Sequence, residues 1–219
     1  SAGKAVTGYD IRIFGENGQE LGPNEEGYVV IKLPLPPGTL LDLWKDNERF
    51  KSGYLNKFPG YYFSGDGGYK DAEDYIYITG RVDDVINVAG HRLSTAEMEE
   101  IVASHHSVAE CAVIGINDEL KGQIPLALVV AKSGEDIEHF QLQHEVVQLV
   151  REQIGAVASL RDVVIVQRLP KTRSGKILRK MMRSIADGEQ FQIPSTIDDE
   201  AIIDEIRAVL SQAKIGCFK

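Results

Sequence analysis

The chain has 219 residues, room for one large domain or two small ones, and 43% apolar with 26% charged residues is the balance of a soluble globular protein with a sizeable core. Thirty-three acidic against 24 basic side chains leave a formal net charge of −9; this excludes a general attraction to nucleic acid or to an anionic membrane, so any anionic ligand must be held by a local basic cluster. Two cysteines, Cys111 and Cys217, make neither a disulfide framework nor a metal spacing, and the longest apolar run, 124–131, is far too short to cross a bilayer.

Ser1-Ala2-Gly3-Lys4 has no initiator Met and leads almost directly into a strand, the pattern expected of a piece of a longer protein. Residues 9–14 alternate polar and apolar side chains, 15–18 read as a turn, and 28–33 are a second β-rich run, so a hairpin-like pair is predicted. Pro34-Leu35-Pro36-Pro37-Gly38 ends any sheet there. A short helix carrying Leu41, Trp44 and Phe50 is expected over 40–50, then a strand at Tyr61-Tyr62-Phe63, a glycine turn at 64–68 and a further strand at 75–79.

The second half changes character. Ser94-Thr95-Ala96-Glu97 reads as a capping box that opens a helix over 94–105, with Met98, Ile101 and Val102 at helical spacing. Strands are expected at 108–116, 123–131 and 163–166, and an amphipathic helix over 140–154 stopped by Gly155. After Leu169-Pro170 the sequence predicts a turn over 171–175, a helix carrying Ile177, Leu178, Met181, Met182 and Ile185, and a last helix capped by Asp198-Asp199 and running to Leu210. The pattern is α+β: a β-rich part over 1–82, a junction at 83–84, and an α+β part over 85–219.

The junction lies in Gly-Arg-Val-Asp-Asp-Val-Ile-Asn-Val-Ala-Gly-His-Arg, 80–92, which packs charge beside glycine. It reads either as a hinge between two binding surfaces or as a β-hairpin whose charges solvate a turn. The second constellation is basic: Lys171, Arg173, Lys176, Arg179, Lys180 and Arg183, with no acidic residue among them. Arg179, Lys180 and Arg183 fit a solvated helix face. Lys176 follows Ser174-Gly175 and would meet the positive end of the next helix, where an anion such as polyphosphate finds a charge and free amides; a plain loop lysine is the alternative. Asp66, between glycines, can accept a hydrogen bond on each carboxylate oxygen, which suits a vicinal diol such as ribose, or it bonds its own backbone. His105-His106 closes a helix, where an imidazole usually caps or packs.

Taken in order, Ser64-Gly65-Asp66, Gly80-Arg81-Val82-Asp83-Asp84, Val88-Ala89-Gly90-His91-Arg92 and Pro170-Lys171-Thr172-Arg173-Ser174-Gly175-Lys176 resemble the acyl-adenylate-forming enzymes. Within them the chain is similar to the short-chain acyl-CoA synthetases, the acetyl- and propionyl-CoA branch, over nearly its whole length. Val-Ala-Gly-His-Arg and Lys-Leu-Pro-Leu-Pro-Pro-Gly lean towards propionyl.

The resemblance implies the C-terminal part of a ligase that uses ATP, with its Mg2+, and CoA: a short-chain carboxylate gives acyl-AMP, then acyl-CoA. It implies residues 1–82 as the end of the AMP-binding domain and 85–219 as a mobile lid. Asp66, Arg81 and Arg92 would contact the nucleotide, Asp83 would be the hinge, Lys176 the adenylation lysine, Ala89 and Gly90 the pantetheine path, and Arg151 a CoA-phosphate contact. Ala103, His105 and Val108 would offer backbone carbonyls and an imidazole to a cation. The missing partner is the N-terminal adenylation domain, without which this piece is expected to be inactive. A lysine acetyltransferase and deacetylase are expected to act on Lys176. The setting would be the cytoplasm or a mitochondrial matrix, with no nucleic acid and no membrane. Two other readings stay open: a non-catalytic module whose basic segment docks a nucleotide or acidic partner, and an adenylating enzyme that passes its acyl group to a carrier protein.

Overall fold

The computed structural model describes residues 1–134 and 137–219, which form two compact units, Ser1–Asp83 and Asp84–Lys219. The first is a four-stranded antiparallel sheet in sequential order: β1 (Ile11–Phe14), β2 (Gly27–Lys32), β3 (Tyr61–Lys70) and β4 (Ile76–Arg81). Its core is small and aromatic. Phe14, Tyr28, Val30 and Phe58 are buried together, and the Lys57 ammonium lies 3.8 Å from the centre of the Tyr28 ring.

Two expectations for this unit are corrected. The helix predicted over 40–50 shrinks to α1 (Asn47–Phe50), continued by a wider turn over Lys51–Leu55. The reason is local competition: the Asp42 carboxylate takes the Leu43 amide at 2.7 Å, Lys45 has φ 57°, and Asp46 accepts from the Arg49 amide at 3.2 Å, so the helix starts only after Asp46. Leu41 and Trp44 are consequently exposed rather than forming a packed face. The glycine turn predicted over 64–68 is instead the middle of β3, with a bulge between Gly67 and Gly68. Here glycine serves close approach and not chain reversal: a Cβ on Gly68 would lie 2.4 Å from the Tyr77 carbonyl oxygen across the ladder.

The second unit is a mixed sheet with helices on both faces. It begins with the hairpin β5 (Val85–Val88) and β6 (His91–Ser94), followed by α2 (Thr95–Ala103), β7 (Val108–Asp118), β8 (Gly122–Ala131), α3 (His139–Gln153), β9 (Asp162–Ile165), α4 (Arg179–Asp187) and α5 (Ile202–Ala213). β8 is central: it pairs with β7 along its length, with β5 at Gly122, and in parallel with β9 over 126–129. Both faces of β7 and β8 are covered, which explains their near-continuous apolar sequence. Ile114, Ile116, Leu126 and Leu128 pack towards Met182 of α4 and Ile206 of α5, while Val113, Ala127 and Val129 pack with Met98 of α2 and Leu142 of α3.

Helix ends mostly follow the sequence signals. The Ser94 hydroxyl accepts from the Glu97 amide at 3.4 Å, the hydroxyl half of the expected capping box, and Gly155 follows α3 with φ 101°. α4, however, starts at Arg179, because Ile177 is drawn into a bridge with Lys171. α5 starts at Ile202: Asp199 accepts from the Ala201 amide at 2.9 Å, just ahead of the helix rather than at its cap.

Cys111 is buried, its thiol donating to the Glu99 carbonyl at 3.4 Å, and burial, followed by the nearby Glu99 charge, pushes its pKa up to about 12. Cys217 is exposed. Iodoacetamide at pH 8 should therefore alkylate Cys217 in the native protein and reach Cys111 only in denaturant, as read by intact-mass and peptide mass spectrometry; rapid native labelling of Cys111 would contradict its burial.

Candidate functional site

In the first unit the β3–β4 register sets Asp66 opposite Arg81. The Arg81 guanidinium donates to the Ser64 carbonyl at 3.0 Å, to Asp83 Oδ1 at 3.2 Å and, longer, to Asp66 Oδ1 at 3.4 Å. Gly65 makes room for it: a Cβ there would lie 2.5 Å from Nη2. The Asp66 amide donates to the Ser64 hydroxyl at 3.1 Å, which donates in turn to the Val29 carbonyl at 2.9 Å. A half-buried carboxylate on a fixed strand, flanked by a cation, can accept hydroxyl donors from a ligand. Asp83 closes this unit and Asp84 opens the next.

The β5–β6 hairpin turns at Ala89 and Gly90, both with positive φ (50° and 89°). The Ala89 amide donates to the Lys121 carbonyl at 2.8 Å and the Gly90 amide to Asn87 Oδ1 at 3.0 Å, which holds the non-glycine residue in a left-handed conformation. A Cβ on Gly90 meets nothing within 4 Å, so the conformation requires the glycine here. Arg92 is exposed on β6, paired across the ladder with Asn87. A hairpin thus forms over 85–94, but the charges expected to solvate its turn lie outside it, Arg81 at the end of β4 and Asp83 and Asp84 in the short turn before β5.

The segment 171–177 is a small closed loop. Lys171 bridges Ile177, the Thr172 amide donates to the Lys176 carbonyl at 2.9 Å, the Lys176 amide donates to the Thr172 hydroxyl at 3.1 Å, and the Gly175 amide donates to the Thr172 carbonyl at 2.8 Å. This corrects the expectation that Lys176 borders a helix start with free amides: its amide is occupied and the helix begins three residues later. What the loop does present is the Lys176 side chain, exposed, its ammonium making no ion pair among the described residues.

The basic run is divided by its partners. Lys171 pairs with Glu110, and Arg179, expected on a solvated face, is part-buried and bidentate to Glu99 at 2.8 and 2.6 Å. These hydrogen bonds hold the guanidinium firmly protonated. Glu99 also accepts from the Val113 amide at 2.8 Å, and Asp187 from the Asn117 amide at 2.8 Å, so side chains from α2 and α4 satisfy the outer edge of β7. The Glu99–Arg179 pair had no sequence signal, because its members are 80 residues apart.

Arg151, exposed near the end of α3, lines a groove of about 270 Å3 with Lys121, Ser159 and Arg161. Lys121 Nζ donates to the Ser159 hydroxyl at 2.8 Å. Three cationic side chains at one groove can hold a phosphate dianion; sequence reasoning found only Arg151.

His105 does not offer a free imidazole. Nδ1 accepts from the Ser107 amide at 3.2 Å, which makes Nε2–H the donor to Glu145 at 2.9 Å. The Gln141 amide and then His105 hold the Glu145 carboxyl below its usual range. The His105 carbonyl accepts from the Val108 amide at 3.0 Å, and Ala103 ends α2. The His105 imidazole is thus held between Ser107 and Glu145 just beyond the end of α2, and among the described residues no group of three or more His, Cys, Asp or Glu gathers.

Residues 97–176 match the family model for the AMP-binding enzyme C-terminal domain. The chain is 58% identical over 216 residues to an uncharacterized protein of Pseudomonas aeruginosa, covering 99% of this chain and 34% of that protein. It is 50% identical over 212 residues to the mitochondrial acyl-CoA synthetase short-chain family member 3 of Mus musculus, covering 97% of this chain and 31% of that protein. Among solved structures it resembles ATP-bound MatB from Rhodopseudomonas palustris, with TM-score 0.67 and 26% identity over 83% of this chain and 34% of that one. The chain thus spans about a third of the length of the curated relatives it matches.

Proposed function

We propose, from the premise that this chain carries an AMP-binding enzyme C-terminal domain, that it is the C-terminal part of an AMP-forming short-chain carboxylate:CoA ligase. Support for that class comes from the acyl-CoA synthetase relatives and the ATP-bound structural neighbour. The observation that carries the reading is the Lys176 ammonium, exposed on a loop closed by its own hydrogen bonds and free of an ion pair among the described residues.

In the first step a carboxylate oxygen attacks the α-phosphorus of ATP and pyrophosphate leaves. Negative charge gathers between the carboxylate and the α-phosphate, and a positioned ammonium stabilises it without transferring a proton. In the second step the CoA sulfur attacks the acyl carbon and AMP leaves. Asp66 and Arg81 would hold the nucleotide's ribose and phosphate, with Arg92 on the phosphate in the second step, and the Ala89-Gly90 turn would border the pantetheine chain. Asp83 would be the hinge. The Lys121, Arg151 and Arg161 groove would take a CoA phosphate. Mg2+ would arrive with ATP. Acetate and propionate are the proposed acids, the rest of the ligase is the proposed partner, and the isolated piece is proposed to be inactive. A purely electrostatic docking module is less well supported, because Lys171 and Arg179 are already paired with Glu110 and Glu99.

ATP–pyrophosphate exchange by the full-length protein, with acetate, propionate, butyrate and acetoacetate offered in turn and the 219-residue chain alongside, tests the proposal. Exchange by the former alone, with one acid preferred, is the expected result; no exchange from a folded, ATP-binding protein would refute it. In the same protein Arg151→Ala should weaken CoA use by about 1.5–3 kcal/mol, the scale of a charged hydrogen bond, with acyl-AMP formation unaffected. An unchanged KM for CoA would remove Arg151 from the site.

A further inference from the structure

The match to the family model ends at Lys176, yet the lysine loop does not stand alone. Beyond α4 the chain returns to run beside it. The Arg173 amide donates to the Thr196 carbonyl at 2.9 Å, the Asp198 amide donates to the Lys171 carbonyl at 3.0 Å, and Thr172 bridges Ile197 between them. Residues 196–198, which leave a turn closed by the Ile197 amide on the Pro194 carbonyl at 3.0 Å, are thus a third segment laid on a two-sided loop through the single bridge residue Ile197. Ile197 fixes that segment, being 5% exposed in the core shared by β7, β8, α4 and α5. Just beyond it Arg168 grips Asp199 at 2.8 Å and Glu205 at 2.6 Å, which anchors the start of α5.

We propose that residues 196–198 are a positioning element for Lys176, holding the loop through main-chain bonds so that the ammonium is presented in one place for acyl-AMP formation. This rests on the reading of Lys176 as the adenylation lysine. The physical argument concerns placement. A seven-residue loop closed only by its own bonds, over 171–177, can tilt as a body, and a displacement of about 1 Å of a charge from a developing transition state costs on the order of 10²-fold in rate. A second pair of main-chain bonds on the opposite side of the Lys171 to Arg173 limb removes that freedom. The tail lies beyond the residues matched by the family model, while the alignments to the curated relatives cover 97–99% of this chain.

The test is a comparison at Asp198 in the full-length protein. The Asp198 side chain is exposed and makes no hydrogen bond among the described residues, whereas its amide holds Lys171. Asp198→Pro deletes the amide hydrogen and Asp198→Ala keeps it. Asp198→Pro should lower ATP–pyrophosphate exchange by about 10–100-fold and Asp198→Ala should retain at least about ten times the exchange rate of the proline variant, while thioester formation from supplied acyl-AMP falls by less than about threefold in either. Lys176→Ala is measured beside them. If it abolishes exchange while the Pro and Ala variants are equal, the lysine assignment stands and the positioning proposal is overturned. If Lys176→Ala leaves exchange intact, the lysine assignment itself fails, and the proposal with it. Should Asp198→Pro not fold, Ile197→Ala takes its place: loss of exchange with the thioester step spared supports the proposal, and equal loss in both steps overturns it.

Discussion

Lys176→Ala in the full-length protein should slow acyl-AMP formation by about 10²–10³-fold, the usual loss for one preorganised charge or donor, and largely spare thioester formation from supplied acyl-AMP. The asymmetry follows from where charge develops. Only the first step builds negative charge between two anions, the carboxylate and the α-phosphate, and only there is a bare ammonium worth more in the transition state than in the ground state. Because its backbone is tied to Thr172 at both amide and carbonyl, alanine should leave the loop in place. Acetylation of the same lysine removes the charge and should act in the same direction, so a stoichiometrically acetylated protein with full exchange activity would argue against the electrostatic role. Single-turnover measurement of each half-reaction decides it; equal damage to both would move Lys176 out of the adenylation step.

Glu99→Ala should lower the stability of the second unit by about 3 kcal/mol, the low end of the range for removing one partner of a buried ion pair, since the Glu99 and Arg179 side chains keep 16% and 26% of their exposure. Two groups are orphaned at once: the Arg179 guanidinium loses both of its carboxylate bonds, and the Val113 amide on the outer edge of β7 loses its acceptor. The four longer helices all lie in this unit, so circular dichroism at 222 nm in urea reads its unfolding. With m of about 1–3 kcal/mol per molar, the midpoint should fall by about 1–3 M. If Glu99→Ala and Arg179→Ala prove additive in the double variant, the pair is not coupled and the assignment fails.

Where sequence reading worked, a local signal decided the structure. Ser94 three residues ahead of Glu97 opens α2, Gly155 closes α3, and the apolar runs of β7 and β8 mark a sheet covered on both faces. It failed where one local signal competed with another. Asp42 and Asp46 each bind a nearby amide and shorten the helix predicted over 40–50, and the glycines from 65 to 68 permit either a turn or a close strand crossing. Only the ladder partners on β2 and β4 choose between those.

The candidate site divides in the same way. The residue types at Asp66, Arg81 and Lys176, and the change of character after Asp83, are written in the chain, because charge beside glycine is itself a local fact. Which charges are already spent is not. Arg179 and Lys176 look alike in sequence, yet Glu99 neutralises the first and no carboxylate among the described residues reaches the second. The Nε2–H tautomer of His105 depends on Ser107 and Glu145, and the support under the lysine loop comes from 196–198, beyond the next helix. Sequence determined the elements and the chemical vocabulary of this protein, since propensity, capping and turn chemistry act over a few residues. Tertiary structure decided which side chains remain available to a ligand, since ion pairs and strand edges are completed by residues tens of positions away.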